Sequence, residues 1–183
     1  MKSFKRVVLI AVLVLVCVFF FVCDVMALPD GAEPVGICYG DPTLKMFVVL
    51  DHPEWTYYKD RELGQVYFFN ANDPSGVNCI SISAYAFAGD AGKEAERLWE
   101  IMRENYSAFD VAYKGREEIS VKGGYSGYLY KYDMAVGADI LLCNCLFWST
   151  EEMMYTCTVS ADAEHAEEVR NVLDGILESF ISM

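Results

Sequence analysis

The chain has 183 residues, and 54% of them are hydrophobic, including 12 Tyr and 11 Phe. This apolar content excludes an intrinsically disordered chain, and the length after a leader is that of a single domain. The net charge of −13 excludes nucleic acid as a partner, because so acidic a surface repels phosphate.

The first 27 residues have the form of an export signal. Lys2, Lys5 and Arg6 precede an uncharged apolar run over residues 7–23, and small residues ending at Ala27 suit a signal peptidase. The run also approaches the length of a membrane span. Two outcomes therefore stay open, a signal peptide cleaved after Ala27 or an uncleaved N-terminal anchor. Either outcome predicts an extracytoplasmic domain that touches the membrane only through residues 7–23.

The leader through Ala27 carries three basic residues and one acidic residue, so the rest of the chain carries −15 against −13 for the whole. A solvated acidic shell that keeps an exported domain soluble is the simplest interpretation of this charge. A basic protein or peptide partner is also compatible with it.

After the leader, residues 28–44 are predicted to be a linker, because Pro29, Pro34 and Pro42 interrupt them. Residues 57–61 are predicted to be a polar bridge. The alternation of apolar and polar side chains predicts three strands that form an antiparallel meander, at residues 45–51, 65–70 and 77–87.

The periodicity then changes to that of a helix over Ala91–Tyr106, which Asp90 is expected to cap. A strand pair at residues 111–121 and 125–135 follows, turning at Gly123-Gly124.

The last forty residues form the strongest pattern in the chain. Residues 140–148 are apolar on both sides, which predicts a strand covered on both faces, and residues 153–159 alternate as a strand with one buried face. An amphipathic helix is predicted over Glu164–Phe180. The fold class is therefore α+β, with a mostly antiparallel sheet of about six or seven strands flanked by two helices.

This pattern resembles a known fold. A strand ending in Pro-x-Trp at Trp55, the Gly-Gly-Tyr-Ser-Gly-Tyr segment at Gly123–Tyr128, an apolar hairpin and a final helix ending in Ile-Leu-Glu-Ser-Phe at Phe180 are similar to the PsbP-like family. The resemblance covers about residues 45–180 and implies an α/β/α sandwich. The fold is shared by the PsbP proteins of photosystem II, a nuclear-import factor that binds the GTPase Ran, and many exported bacterial proteins. Such members are generally binding or assembly factors, which implies a non-enzyme.

The cysteines of the predicted hairpin are the best chemical candidates. Cys143 and Cys145 lie two residues apart on one strand, too far apart for a mutual disulfide. If the turn has an odd length, Cys157 lies opposite one of them, and a structural disulfide to Cys145 or Cys143 is possible. Simple buried thiols are the favoured alternative, and thiol-disulfide redox chemistry is the least favoured, because no neighbouring base would lower a thiol pKa.

Tyr128, Tyr130 and Tyr132 share one strand face. They are candidate ligand-contact aromatics that could stack on a sugar or a peptide, although a sheet face covered by a helix is the commoner arrangement. The two histidines, His52 and His165, lack zinc-ligand spacing. We predict no catalytic residue, metal ligand or cofactor.

The functional expectation is an exported or membrane-anchored non-enzymatic domain that binds an envelope protein, a peptide or a wall component. The alternatives are a thiol-disulfide redox protein using Cys143, Cys145 and Cys157, and a structural spacer at the membrane.

Overall fold

The computed structural model describes residues 37–183, so the predicted signal segment or anchor lies outside the described residues. The elements are β1 (Ile37–Asp41), β2 (Met46–Leu50), β3 (Trp55–Asp60), β4 (Gln65–Asn70), β5 (Cys79–Ala86), α1 (Ala91–Asn105), a 3-10 turn (Tyr106–Ala108), β6 (Asp110–Val121), β7 (Tyr125–Val136), β8 (Asp139–Ser149), β9 (Met153–Ala161), α2 (Ala166–Ser179) and β10 (Ile181–Ser182).

Seven strands form one antiparallel sheet in the order β3-β4-β5-β9-β8-β7-β6. The helix α1 lies on one face and α2 on the other, so the predicted α+β sandwich is confirmed. The turn between β6 and β7 uses Gly123 and Gly124 at φ 91° and 80°, values that disfavour a side chain. Asp90 caps α1 as predicted, since its carboxylate accepts the Lys93 N–H at 3.1 Å.

A second, three-stranded sheet was not predicted. It has the order β1-β2-β10 and joins the first described residues to the last. The linker prediction is therefore wrong for residues 37–41, which form β1. The prediction of a polar bridge at residues 57–61 is also wrong, because they belong mostly to β3. The meander is β3-β4-β5, and β2 lies outside it.

The larger core lies between the sheet and α2. Trp148 stacks on Tyr155 with ring centroids 5.0 Å apart, and Phe180 meets both rings edge-on. The Tyr155 hydroxyl donates to the carbonyls of Leu44 and Lys45 in the turn between β1 and β2, at 3.0 and 2.9 Å. The small sheet therefore packs beside α2 on this face.

The smaller core lies beneath α1. Ala95 and Trp99 are the buried residues of this helix, and they pack against β7 and β8. Each helix covers only part of its face of the sheet. The strands β6–β8 are partly open on the α2 side, and the strands β3–β5 are partly open on the α1 side.

Neither helix of residues 37–183 combines the length and the apolar composition needed to cross a membrane.

Candidate functional site

The three predicted ligand-contact tyrosines lie under α1. Tyr130 and Tyr132 are each 3% exposed, and the indole of Trp99 stacks on the Tyr130 ring at 4.9 Å with an interplanar angle of 17°. Tyr128 is half-buried, with the guanidinium of Arg116 4.7 Å from its ring centroid. Tyr130 and Tyr132 are thus part of a core and are not accessible to a ligand.

The strand register does not place Cys157 opposite Cys143 or Cys145, as the candidate disulfide required. Cys157 lies opposite Leu146, and Cys143 and Cys145 lie opposite Ser160 and Thr158. Because neighbouring positions on a strand face opposite sides, Cys157 joins the core under α2 while the other two thiols join the core under α1. All five cysteines of residues 37–183 are free.

The thiols of Cys143, Cys145 and Cys157 are also expected to be unreactive. Burial raises the pKa of Cys143 and Cys145 to about 12, and it raises the pKa of Cys157 as well. Only the thiolate is a nucleophile, so none of these groups is prepared for exchange at neutral pH. The Cys145 sulfur lies 3.5 Å from the Met102 sulfur and 3.7 Å from the Tyr132 hydroxyl, the close packing of a core.

An open groove lies between α2 and the strands β6–β8, and we call it the α2 groove. Its volume is about 550 Å³, within the size range of ligand sites. Apolar side chains from the sheet and the helix line it: Ile119, Leu129, Leu142, Val169, Leu173 and Leu177. Leu142 is 39% exposed, so part of this apolar surface faces solvent.

Charged side chains surround the α2 groove. Three are basic and four are acidic: Lys114, Lys131, Arg170, Glu117, Asp133, Asp174 and Glu178. Across β6 and β7, Lys114 pairs with Asp133 and Lys131 with Glu117, each with a nitrogen-oxygen distance of 2.7 Å. Exposed ion pairs of this kind contribute at most about 1 kcal/mol each to stability, so a charged ligand can replace one partner of a pair at little cost in free energy.

A second candidate surface lies on the α1 side of the sheet, on the strands that α1 does not cover. We call it the open aromatic face. Neither core cluster includes its three main aromatic residues, Tyr58, Tyr67 and Phe69. Tyr58 is 41% exposed, and its ring centroid lies 6.4 Å from that of Tyr67 on the paired strand β4.

Sequence reasoning missed both surfaces. The stretch containing Tyr58 has no apolar alternation, since β3 at the sheet edge carries aromatic or polar residues on both sides. Burial of the side chains in such a stretch depends on which strands pair with it. This pairing cannot be derived from a single sequence. The run Trp55-Thr56-Tyr57-Tyr58 beside a turn is the one signal that favoured a strand.

Metal chemistry finds no support among residues 37–183, in which no group of three or more His, Cys, Asp or Glu is arranged to hold an ion. His165 instead pairs with Asp162 through Nδ1 at 2.8 Å, ahead of α2. The other histidine, His52, lies 3.5 Å from Glu54.

No protein-family model matches the chain, and no curated protein matches it by sequence. Solved structures match its architecture. The cyanobacterial PsbP protein CyanoP of Synechocystis is similar with a TM-score of 0.63 at 13% identity, over 86% of this chain and 98% of that one. The chain has a PsbP-like fold.

Two further structures are similar to this PsbP-like domain. One is a Bacteroides thetaiotaomicron protein, with a TM-score of 0.58 and 15% identity over 81% of this chain and 49% of that one. The other is LpqN, a Mycobacterium tuberculosis protein involved in cell envelope biogenesis, with a TM-score of 0.55 and 13% identity over 79% of this chain and 87% of that one. Identities this low establish the PsbP-like fold alone.

Proposed function

We propose that the chain is a non-enzymatic, extracytoplasmic domain that binds a basic, amphipathic segment of an envelope protein in the α2 groove. The observation that carries the proposal is the groove itself, which combines an apolar floor with a charged rim. A ligand site of this kind gains affinity from its apolar lining and orientation from a few polar groups.

Charge favours a basic occupant. The chain carries −13, and the rim of the groove has four carboxylates against three cations. An acidic surface steers a cationic partner toward it and repels an anionic one, with an effect that salt screens. The partner segment is therefore expected to carry Lys or Arg beside apolar residues.

The leader supports the proposed location. Its basic start, apolar run and small-residue site are those of an export signal. LpqN, which has the same fold, is involved in cell envelope biogenesis, which is consistent with a role in the envelope. Whether the leader is cleaved or remains as an anchor does not change the side of the membrane on which the domain lies.

The redox alternative finds less support. An oxidoreductase needs accessible thiols of lowered pKa, whereas Cys143, Cys145 and Cys157 are buried with raised pKa values and lie on two faces of the sheet. The spacer alternative requires no ligand site at all, so the binding experiment separates it from our proposal.

The test is capture from an envelope extract by the full-length protein in a non-ionic detergent, at low and at moderate salt. Captured proteins are identified by mass spectrometry, and synthetic peptides covering their basic amphipathic segments are titrated by fluorescence anisotropy. We expect direct binding of such a peptide that weakens as salt rises. The absence of any peptide that binds directly would favour the spacer.

Two matched variants locate the site. Leu142→Lys places a cation on the apolar floor of the groove, and Ile101→Lys places the same charge on α1, on the other side of the sheet. The two residues are 39% and 41% exposed, so neither change disturbs a core. Leu142→Lys should weaken peptide binding at least tenfold, while Ile101→Lys should leave it unchanged. Equal effects of the two variants would remove the groove from the proposal.

A further inference from the structure

The open aromatic face differs in composition from the rest of the surface. Its outward side chains come from β3, β4, β5 and β9, and only Asp60 among them is charged: Thr56, Tyr58, Asp60, Gln65, Tyr67, Phe69, Ser83, Tyr85, Thr156 and Thr158. Asp60 at the end of β3 accepts the backbone N–H groups of Glu62 and Leu63, which keeps this carboxylate in its own turn. A face with a single carboxylate contrasts with a chain that carries −13.

We propose that the open aromatic face binds an uncharged polysaccharide. Sugar rings present flat faces of C–H groups, which pack against aromatic rings, and their hydroxyls form hydrogen bonds with amide and hydroxyl side chains. The face offers both kinds of group, because Tyr58 and Tyr67 lie beside Gln65 and Ser83.

The geometry fits a glycan that runs across the strands β3 and β4. Tyr58 and Tyr67 are directly opposed on β3 and β4, and their rings are tilted by 31° to each other. Gln65 accepts the Tyr67 hydroxyl at 3.2 Å, which leaves its amide N–H groups available as donors. The hydroxyls of Ser81 and Thr158 are hydrogen-bonded to each other across β5 and β9, and Ser81 is buried. Ser81 is therefore not available to a ligand.

Charge decides the class of polysaccharide. A polyanion would approach a chain of net charge −13 against repulsion, and the outward side chains of the open aromatic face include no cation to offset it. A basic protein segment would find one carboxylate on this face, Asp60, which already accepts two backbone N–H groups of its own turn. An uncharged glycan has neither disadvantage, since stacking and neutral hydrogen bonds do not depend on the net charge.

This site is independent of the α2 groove, which lies on the opposite face of the sheet. Loss of peptide binding in Leu142→Lys should leave polysaccharide binding intact. The two proposals can therefore fail separately.

The test is affinity electrophoresis of the full-length protein, in a sugar-free non-ionic detergent, through native gels that contain one polysaccharide each. The uncharged probes are hydroxyethyl cellulose, glucomannan, arabinoxylan and dextran, and carboxymethyl cellulose is the anionic counterpart of the first. We expect at least one uncharged probe to retard the protein and the anionic probe not to retard it. Retardation by no uncharged probe would overturn the proposal.

Tyrosine variants then show whether the retardation comes from this face. Tyr58→Ala and Tyr67→Ala should each weaken binding about tenfold, which corresponds to about 1.4 kcal/mol, and Tyr58→Phe should retain binding because it keeps the ring. Tyr113→Ala is the matched control, since Tyr113 is 52% exposed on β6 at the far edge of the sheet. Retardation that survives Tyr58→Ala, which alters an exposed residue and should fold, would exclude this face as the site.

Discussion

Trp99 should be the residue that holds α1 on the sheet. Only Ala95 and Trp99 of this helix are buried, and the indole lies within 5.6 Å, between ring centroids, of Tyr113, Tyr130 and Tyr132. Replacement of Trp99 by Ala removes all three aromatic contacts at once. Ala95 and the partly buried Leu98 and Met102 would remain in contact with this core, but each of them is smaller than the indole.

The cost can be worked in two ways. A buried aromatic side chain removes about 150–250 Å² from water, which at about 25 cal/mol per Å² gives about 4–6 kcal/mol. Measured replacements of buried Phe or Trp by Ala cost about 3–5 kcal/mol. The lower range applies here, because Ala keeps part of the surface and Trp99 is 6% exposed. We therefore expect Trp99→Ala to lower the free energy of unfolding by about 3–5 kcal/mol.

Urea denaturation followed by far-ultraviolet circular dichroism measures this change, and hydrogen exchange shows where it acts. The amides of α1 should exchange much faster, while those of α2 should change less, because α2 packs on the other face. Ile101→Ala is the control, since Ile101 is 41% exposed on the same helix and should cost less than about 1 kcal/mol. A loss below about 1 kcal/mol in Trp99→Ala itself would refute the reasoning, because α1 would then be held by contacts other than these.

Three further predictions follow from other parts of the molecule. Asp41→Ala should cost about 2–4 kcal/mol in urea denaturation, because the buried carboxylate accepts the Lys59 ammonium at 2.6 Å and the Leu44 N–H at 3.0 Å; an unchanged midpoint would contradict this. The hydrogen bond to the Asp162 carboxylate raises the pKa of His165 above 6.5, so the charged pair stabilises the fold fully below pH 6.5 and this stabilisation is lost as pH rises through the folded pKa. The melting temperature of the native protein should therefore fall slightly over that pH range, and that of Asp162→Asn should not. Among the cysteines of residues 37–183, iodoacetamide should label the exposed Cys38 in the folded protein, whereas peptide mapping should find the four buried ones labelled only after unfolding: Cys79, Cys143, Cys145 and Cys157. Rapid labelling of Cys143, Cys145 or Cys157 in the folded protein would instead support the redox interpretation.

The sequence predicted best the elements whose side chains alternate cleanly. The strand over residues 153–159, the apolar strand before it and the helix after them all appear, and the predicted buried faces of β9 and α2 are buried. These elements have one apolar side that must be covered, so composition alone decides their orientation.

The elements that were missed lack this signal. In β3, Trp55 faces the core while Tyr58 faces solvent, and both are aromatic, so no alternation marks the strand. The candidate disulfide depended on a turn of odd length. Ser149 pairs with Met154 instead, and this register puts Cys157 on the opposite face of the sheet from Cys143 and Cys145. The polar residues between β8 and β9 predict a turn, but they do not indicate whether the turn has an odd or an even number of residues.

The two candidate surfaces could not be predicted from the sequence, because each is a part of the sheet that the helices do not cover. The shared face of Tyr128, Tyr130 and Tyr132 was predicted correctly, but only the docked position of Trp99 shows that it is closed. The same docking leaves Tyr58 and Tyr67 open.

The small sheet has a consequence for when the domain can finish folding. Its middle strand, β2, pairs with β1 on one side and with β10, two residues from the C-terminus, on the other. The hydroxyl of Ser179 also accepts the Val49 N–H at 2.8 Å. These contacts join residues that are 130 or more positions apart in the chain, so the small sheet cannot be completed until residues 179–182 have been synthesised and are free to pair. The small sheet should therefore be among the last parts of the domain to form.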